Sequence, residues 1–201
     1  MIKRLITVAA LVVVVCVGAF AQLAVGGTAT IYLDTTNGAA QQIKDDFSSG
    51  QNLYYGGFIE YLGRHWAGGL GATVSPWTLH GIKLIDYDAD VYLAYHLFKA
   101  TAFLDPYGKV GLGMLGESYQ SKSEKNDDND YTVGSSTSPL SASAYWFAGL
   151  GLGITLRPID IFAEFAYNFN LNFQFKDGNQ AVPSYGGDTP YRFTLGAKLI
   201  L

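Results

Sequence analysis

Apolar and polar residues alternate with a period of two through most of this chain. The last eleven residues, YRFTLGAKLIL, carry an apolar or aromatic side chain at every odd position from Tyr191 to Leu201, and mostly polar or small residues at the even positions. Such alternation is typical of a β-strand whose two faces meet different surroundings. The pattern predicts an all-β fold.

Eight segments carry this alternation. The predicted strands lie at 23–34, 53–62, 67–75, 84–97, 106–116, 143–156, 161–173 and 191–201. Tight turns are predicted at 63–66, 99–103 and 157–160, and the other connections, including one around 76–83, are longer and more polar. In an up-and-down meander every second connection lies at the same end. We therefore predict an eight-stranded antiparallel up-and-down β-barrel with short turns at one end and longer loops at the other.

The N-terminal segment predicts export. Lys3 and Arg4 precede an apolar run that closes on Ala19-Phe20-Ala21, which is the layout of a cleavable signal peptide over residues 1–21. An anchoring helix is the alternative, but it would need about 20 apolar residues and a stop-transfer flank. Cleavage would leave residues 22–201 as one barrel domain without Cys16. It would also remove two of the 13 basic residues and none of the 17 acidic ones, so nucleic acid is not an expected partner.

The polar face of the strands indicates which side of the barrel is inside. It carries too few charges for the exterior of a soluble barrel, and it is rich in glycine, which suits a crowded, curved interior. Aromatic residues of the apolar face gather near the strand ends, as they do at membrane interfaces. A closed barrel also satisfies every backbone amide in hydrocarbon. We predict a transmembrane barrel with its apolar face towards lipid.

Three internal passages and the last strand resemble a known family. The passages YYGGFIEYLGRHWAGGLGATV, PYGKVGLGM and FAGLGLGITLRPIDIFAEFAYNF are similar to those of the small outer-membrane β-barrels that include the OmpA-type transmembrane domain and the opacity-like and OmpW-like proteins. The resemblance implies the outer membrane of a diderm bacterium, with lipid as a partner, short turns in the periplasm and longer loops outside. A periplasmic peptidoglycan-binding domain, which many OmpA relatives carry, is not expected here.

The resemblance also assigns a role to the last strand. In this family it is an assembly signal read by the outer-membrane assembly machinery, and Thr194, Gly196, Leu199 and Leu201 match the pattern. The terminal residue is often aromatic in the family, and here it is leucine.

The inward face suggests how the lumen is filled. Eight strands enclose a space that side chains can fill, which argues against an open porin. Glu60, Lys109, Glu164 and Lys198 are predicted to point inward at a similar depth. Two acids and two bases at one depth should pair, because an unpaired buried charge is costly. We expect them to form a salt-bridge cluster that plugs the barrel, and a solvated lining of weak pairs is the alternative.

Nearer the predicted long-loop end, Asp86, Asp88 and Asp90 form an inward acidic ladder. It could attract cations to the mouth, or its carboxylates could be solvated or paired with Arg192. No metal or cofactor is predicted. The loop sequence EKNDDND offers oxygen ligands but lacks the spacing and the glycine of an EF-hand. The three histidines occur in no catalytic motif, so no enzymatic activity is expected.

Two functions remain open at this point. The first is a structural and surface-interaction protein, in which the barrel is the anchor and the outer loops meet an extracellular ligand. The second is a narrow or gated channel, OmpW-like or porin-like, for small solutes or small apolar molecules. The second is kept open by inward aromatic rings at Phe58, Tyr92, Tyr145, Phe147 and Phe162.

Overall fold

The computed structural model describes residues 22–33, 53–79, 82–120, 141–175 and 191–201. Eight strands account for nearly all of them. They are β1 (Gln22–Leu33), β2 (Leu53–Leu62), β3 (Trp66–Leu79), β4 (Ile82–His96), β5 (Leu104–Gln120), β6 (Ser141–Leu156), β7 (Ile159–Phe175) and β8 (Tyr191–Ile200). No helix within these residues is long and apolar enough to cross a membrane. The predicted all-β class and the number of strands are confirmed.

The strands form one closed barrel in sequence order, in which each pairs antiparallel with the next and β8 returns to β1. Closure is visible at Gly26 of β1, which lies opposite Phe58 of β2 on one side and opposite Lys198 of β8 on the other. A closed sheet leaves no strand edge unpaired. The up-and-down barrel predicted from the alternation is therefore confirmed.

The two ends of the barrel differ in their connections. At the short-turn end, three, seven and two residues join β2 to β3, β4 to β5 and β6 to β7. At the long-loop end, the connections hold 19, 2, 20 and 15 residues, and all of these lie outside the described residues. The EKNDDND segment and His80 belong to them. Long connections thus gather at one end as predicted, with one exception.

The exception is the connection between β3 and β4, where the prediction of a loop around 76–83 is wrong. The ladder continues to the pair Leu79 and Ile82, which leaves two residues between the strands. Proline commonly ends a strand because it lacks an N–H donor. Pro76 nevertheless stays in the ladder opposite Ile85, since the pairs on both sides of it hold the strands together.

The side chains divide between the two faces as the alternation predicts. Large apolar residues lie on the outside with much of their surface exposed, such as Leu70 at 64% and Leu150 at 75%. Charged residues lie on the inside and are buried, among them Glu60, Arg192 and Lys198. The barrel is therefore apolar outside and charged inside.

Glycines on the inner face make room for aromatic rings. Gly151 of β6 lies opposite Tyr107 of β5, and a Cβ at that glycine would lie 2.5 Å from Cε2 of the ring. Gly111 stands in the same relation to Phe147, also at 2.5 Å. Neither separation is possible for two carbon atoms in contact. Each ring lies flat over a glycine of the neighbouring strand, which explains why the inner face is rich in both residue types.

Candidate functional site

Two layers of charged and aromatic side chains fill the lumen. The outer layer lies towards the long-loop end and consists of Tyr32, Asp88, Asp90, Tyr145 and Arg192. Asp88 and Asp90 are two positions apart on β4 and share its inner face, while the other three residues come from β1, β6 and β8. The layer therefore joins four strands across the lumen.

The contacts of the outer layer centre on Asp88. The hydroxyls of Tyr32 and Tyr145 each donate to one of its carboxylate oxygens, at 2.6 Å. Arg192 Nη1 donates to Asp90 Oδ2 at 3.0 Å and to the Tyr145 hydroxyl at 3.2 Å, and it lies 3.6 Å from Asp88 Oδ2. The Arg192 guanidinium also lies over the Phe147 ring, 4.1 Å from its centre. Charge pairing, hydrogen bonds and a cation–π contact thus hold one buried arginine.

The inner layer lies towards the short-turn end and consists of Glu60, Tyr107, Lys109, Asp160, Glu164 and Lys198. Lys109 Nζ lies 2.9 and 3.1 Å from the two oxygens of Glu164, which also accepts a 2.8 Å bond from the Tyr107 hydroxyl. Lys198 Nζ lies 2.6 Å from Glu60 Oε2 and 3.4 Å from Asp160 Oδ2. Lys109 also lies 3.7 Å from the centre of the Tyr92 ring. The layer is formed by two ion pairs with acidic and aromatic neighbours.

The structure places the four residues predicted for the lumenal cluster in this layer. They form two separate pairs, Lys109 with Glu164 and Lys198 with Glu60. Asp160 was missed, because the interpretation of 157–160 as a turn is wrong at its last two residues. β7 begins at Ile159, so Asp160 already shares the inner face with Glu164, as its even number in the alternation indicates.

Two of the three aspartates of the predicted acidic ladder belong to the outer layer, and the third does not. Asp88 and Asp90 lie with Arg192, which is the pairing left open as an alternative to solvated carboxylates. Asp86 is buried and faces Ser75 of β3 one step closer to the long-loop end.

The four residues of the predicted assembly signal lie on both faces of β8. Thr194 is inside, where its hydroxyl bonds to that of Thr30 at 2.9 Å, and Gly196 is inside beneath the Phe162 ring. Leu199 and Leu201 are outside and exposed. Two positions of the assembly-signal pattern therefore face the lumen, and the other two face the apolar exterior.

A further polar contact between two buried side chains lies at the short-turn end and was not predicted. His96 Nδ1 is 2.7 Å from Asp105 Oδ2, and the two side chains are only 1% and 0% exposed. His96 ends β4 and Asp105 is the second residue of β5. The predicted turn lies between them, but the predicted strand began at 106, so Asp105 was not placed on the inner face, whereas β5 begins at Leu104.

A cavity remains between the two layers. Its volume is about 520 Å³ including the part open to solvent, and both layers line it together with threonines and the bare backbone of β2 and β3. Within the residues described, no three His, Cys, Asp or Glu side chains lie close enough together to hold a metal ion. Polar and apolar groups both line the cavity, which lies between the two ion-pair layers.

The lumen carries more acids than bases in the part of the chain that the structure describes. The inward acids are Glu60, Asp86, Asp88, Asp90, Asp105, Asp160 and Glu164, and the inward lysines and arginines are Lys109, Arg192 and Lys198. Among the residues whose side chains the structure describes, seven acidic side chains therefore face three basic ones. This excess of negative charge favours cations over anions at any point that a solute can reach.

Two solved structures have folds similar to that of this chain. The N-terminal β-barrel domain of Pseudomonas aeruginosa OprF matches with a TM-score of 0.54 and 13% sequence identity, over 90% of this chain and 97% of that one. Neisserial surface protein A matches with a TM-score of 0.53 and 11% identity, over the same shares. Both are small eight-stranded outer-membrane barrels, so the resemblance predicted from the sequence is confirmed at the level of fold. No protein-family profile and no curated protein sequence matches the chain.

Proposed function

We propose that this chain is an integral outer-membrane β-barrel protein that acts mainly as a structural and surface-interaction protein with a filled lumen. The observation that carries this proposal is the apolar outer face of a closed barrel. Residues such as Leu70, Leu112 and Leu150 expose about half or more of their surface. Contiguous apolar surface of this extent is not stable in water, whereas lipid matches it.

The ends of the barrel support the same environment. Trp66 and Tyr95 contact each other edge to face on the outside near the short-turn end, with their ring centres 4.9 Å apart. Towards the other end, Trp146 stacks on Phe169 at 3.7 Å, and Tyr167 lies edge to face with Phe169. Aromatic rings at two levels fit the two interfaces of a membrane. On this proposal residues 1–21 are the signal peptide, the short turns are periplasmic and the long loops are extracellular.

The two lumenal layers support an anchoring role rather than an open pore. Each layer crosses the barrel with buried, hydrogen-bonded charges, and breaking such a pair leaves an unpaired ion in a space of low dielectric constant. The proposed partners are membrane lipid, the assembly machinery through β8 and an extracellular ligand bound by the loops. No catalytic role is proposed.

A narrow or gated channel is the second candidate, and the cavity between the layers favours it. Phe58, Tyr92 and Phe162 line that cavity beside the charged groups, so a small solute would meet both rings and ions. Conduction would require at least one ion pair in each layer to separate.

Planar-bilayer recording on the refolded barrel tests the choice between the two. An anchor with a filled lumen gives no single-channel steps, and a Lys198→Gln variant gives rare openings because its layer has lost a cation. Regular openings of the unmodified protein would favour the channel. Recovery of the purified chain as a compact monomer without detergent would overturn the membrane proposal itself.

A further inference from the structure

The connection between β4 and β5 crosses the short-turn mouth of the barrel. We call this connection, residues 97–103, the cap. On one side the Ala100 amide donates to the Arg64 carbonyl in the turn between β2 and β3, at 3.1 Å. On the other side Arg157 Nη2, in the turn between β6 and β7, donates to Thr101 Oγ1 at 3.1 Å. In a closed barrel of eight strands these two turns lie on opposite sides of the circumference, so the cap spans the opening.

The cap also packs into the lumen. Ala100 is 1% exposed and belongs to an apolar cluster with inward residues from five successive strands. These residues are Ala24, Leu62, Ala67, Ala94 and Tyr107. The sequence predicts only a tight turn here, and a turn that projected into water would not bury an alanine among five strands. The cluster closes the mouth above the inner layer and shares Tyr107 with it.

The His96–Asp105 pair lies at the base of the cap. His96 directly precedes the cap, and Asp105 follows it after one residue, so the 2.7 Å contact joins the cap's two ends. The His96 amide also donates to the His65 carbonyl at 2.7 Å, which connects the base to the neighbouring turn. His96 Nε2 and Asp105 Oδ1 are buried without a hydrogen-bond partner. Backbone bonds also anchor the cap beside the pair, because the Leu97 amide donates to the Pro106 carbonyl and the Thr155 amide donates to the Phe103 carbonyl, both at 2.9 Å. The pair therefore adds a side-chain contact between two ends that the backbone already holds in place.

We propose that residues 97–103 form a movable cap that closes the short-turn mouth and that the His96–Asp105 pair is its latch. Breaking the pair loosens the cap between its two backbone-anchored ends, so the middle of the cap moves away from the apolar cluster and opens the lumen below it to water from that side. This goes beyond the proposed anchoring role, because it gives the barrel a conditional opening at one end. It requires no change in either ion-pair layer.

Thiol labelling measures the opening directly. A Thr155→Cys reporter is nearly isosteric and lies buried at the short-turn end, and Cys16→Ala in the full chain removes the one native thiol. An Arg64→Cys variant in the exposed turn supplies the rate of unhindered reaction. The barrel, refolded in detergent micelles, is treated with a charged methanethiosulfonate reagent. Heat-modifiable gel mobility confirms for each variant that the barrel is intact.

Asp105→Ala removes both carboxylate oxygens and so breaks the latch, and we expect the labelling rate at Thr155→Cys to rise by about tenfold or more, because local opening becomes easier when a buried pair is lost. Arg157→Ala removes one exposed hydrogen bond to the cap and should raise the rate severalfold. The matched control is Arg64→Ala. Arg64 is exposed and bonds to the cap through its backbone carbonyl, so removing its side chain should leave the labelling rate unchanged.

Two results would overturn the proposal. If the unmodified cap allows labelling as fast as at Arg64→Cys, the mouth is not closed. If an intact Asp105→Ala barrel is labelled at the parent rate, the pair is not a latch. Should Asp105→Ala fail to fold, equal rates for Arg157→Ala and Arg64→Ala would exclude a movable cap.

Discussion

Replacement of Lys198 by methionine is the sharpest test of the inner layer. Its Nζ lies 2.6 Å from Glu60 and 3.4 Å from Asp160, and all three side chains are buried. Methionine keeps the apolar stem and removes the charge, which leaves two buried carboxylates without their shared cation. Removing one partner of a buried ion pair costs about 3–5 kcal/mol. We expect the free energy of unfolding to fall by about 4 kcal/mol.

Urea unfolding of the barrel in phospholipid vesicles, followed by tryptophan fluorescence, measures this loss. With a slope of about 2 kcal/mol/M, the midpoint should move down by about 2 M. Lys99→Met is the matched control, because Lys99 is exposed in the cap and forms no ion pair with any residue that the structure describes. Adding Glu60→Gln to Lys198→Met should restore part of the loss, since it removes one of the two unpaired acids. A Lys198→Met barrel as stable as the Lys99→Met barrel would refute the pairing.

Three further outcomes are expected. Gly151→Ala drives a methyl group into the Tyr107 ring and should lower the free energy of unfolding by about 1–3 kcal/mol. Gly27→Ala, on the open outer face, should not lower it. Equal losses for the two variants in urea unfolding would contradict the packing of rings on glycines. A variant with Trp146 as its single tryptophan should be quenched by lipids brominated on their acyl chains, and unchanged emission would place that face away from lipid. Any conductance, native or induced by Lys198→Gln, should be cation-selective by reversal potential, and anion selectivity would contradict the excess of lumenal carboxylates.

The architecture could be predicted from the sequence because the alternation has a period of two and its two faces differ strongly. In β7, the inward residues from Phe162 to Ala166 are the even-numbered ones, so the alternation alone assigns them. The alternation determines on which face a residue lies, but it does not determine which residues meet across the lumen. That depends on the stagger between strands, which no local pattern encodes.

The errors occurred where local signals competed with the ladder. Pro76 indicates the end of a strand, yet β3 continues to Leu79 because each strand is supported by its neighbours. Asp160 is a residue type that favours turns and was assigned to one, and Asp105 fell between the predicted turn at 99–103 and the predicted strand at 106–116, so neither was placed on the inner face. The cap was missed for the same reason, since nothing in its composition shows that Ala100 is buried.

The two layers hold their acids in different ways, and this predicts a ranking of their stability. In the outer layer Asp88 accepts two tyrosine hydroxyl bonds at 2.6 Å, which do not depend on Arg192. Replacing Arg192 by methionine therefore deprives mainly Asp90 of its partner, and that side chain is 12% exposed and keeps some contact with water. We expect a loss of about 2 kcal/mol, smaller than for Lys198→Met. An equal or larger loss would mean that the tyrosines do not stabilise Asp88 without the arginine, and that the outer layer depends on charge as much as the inner one does.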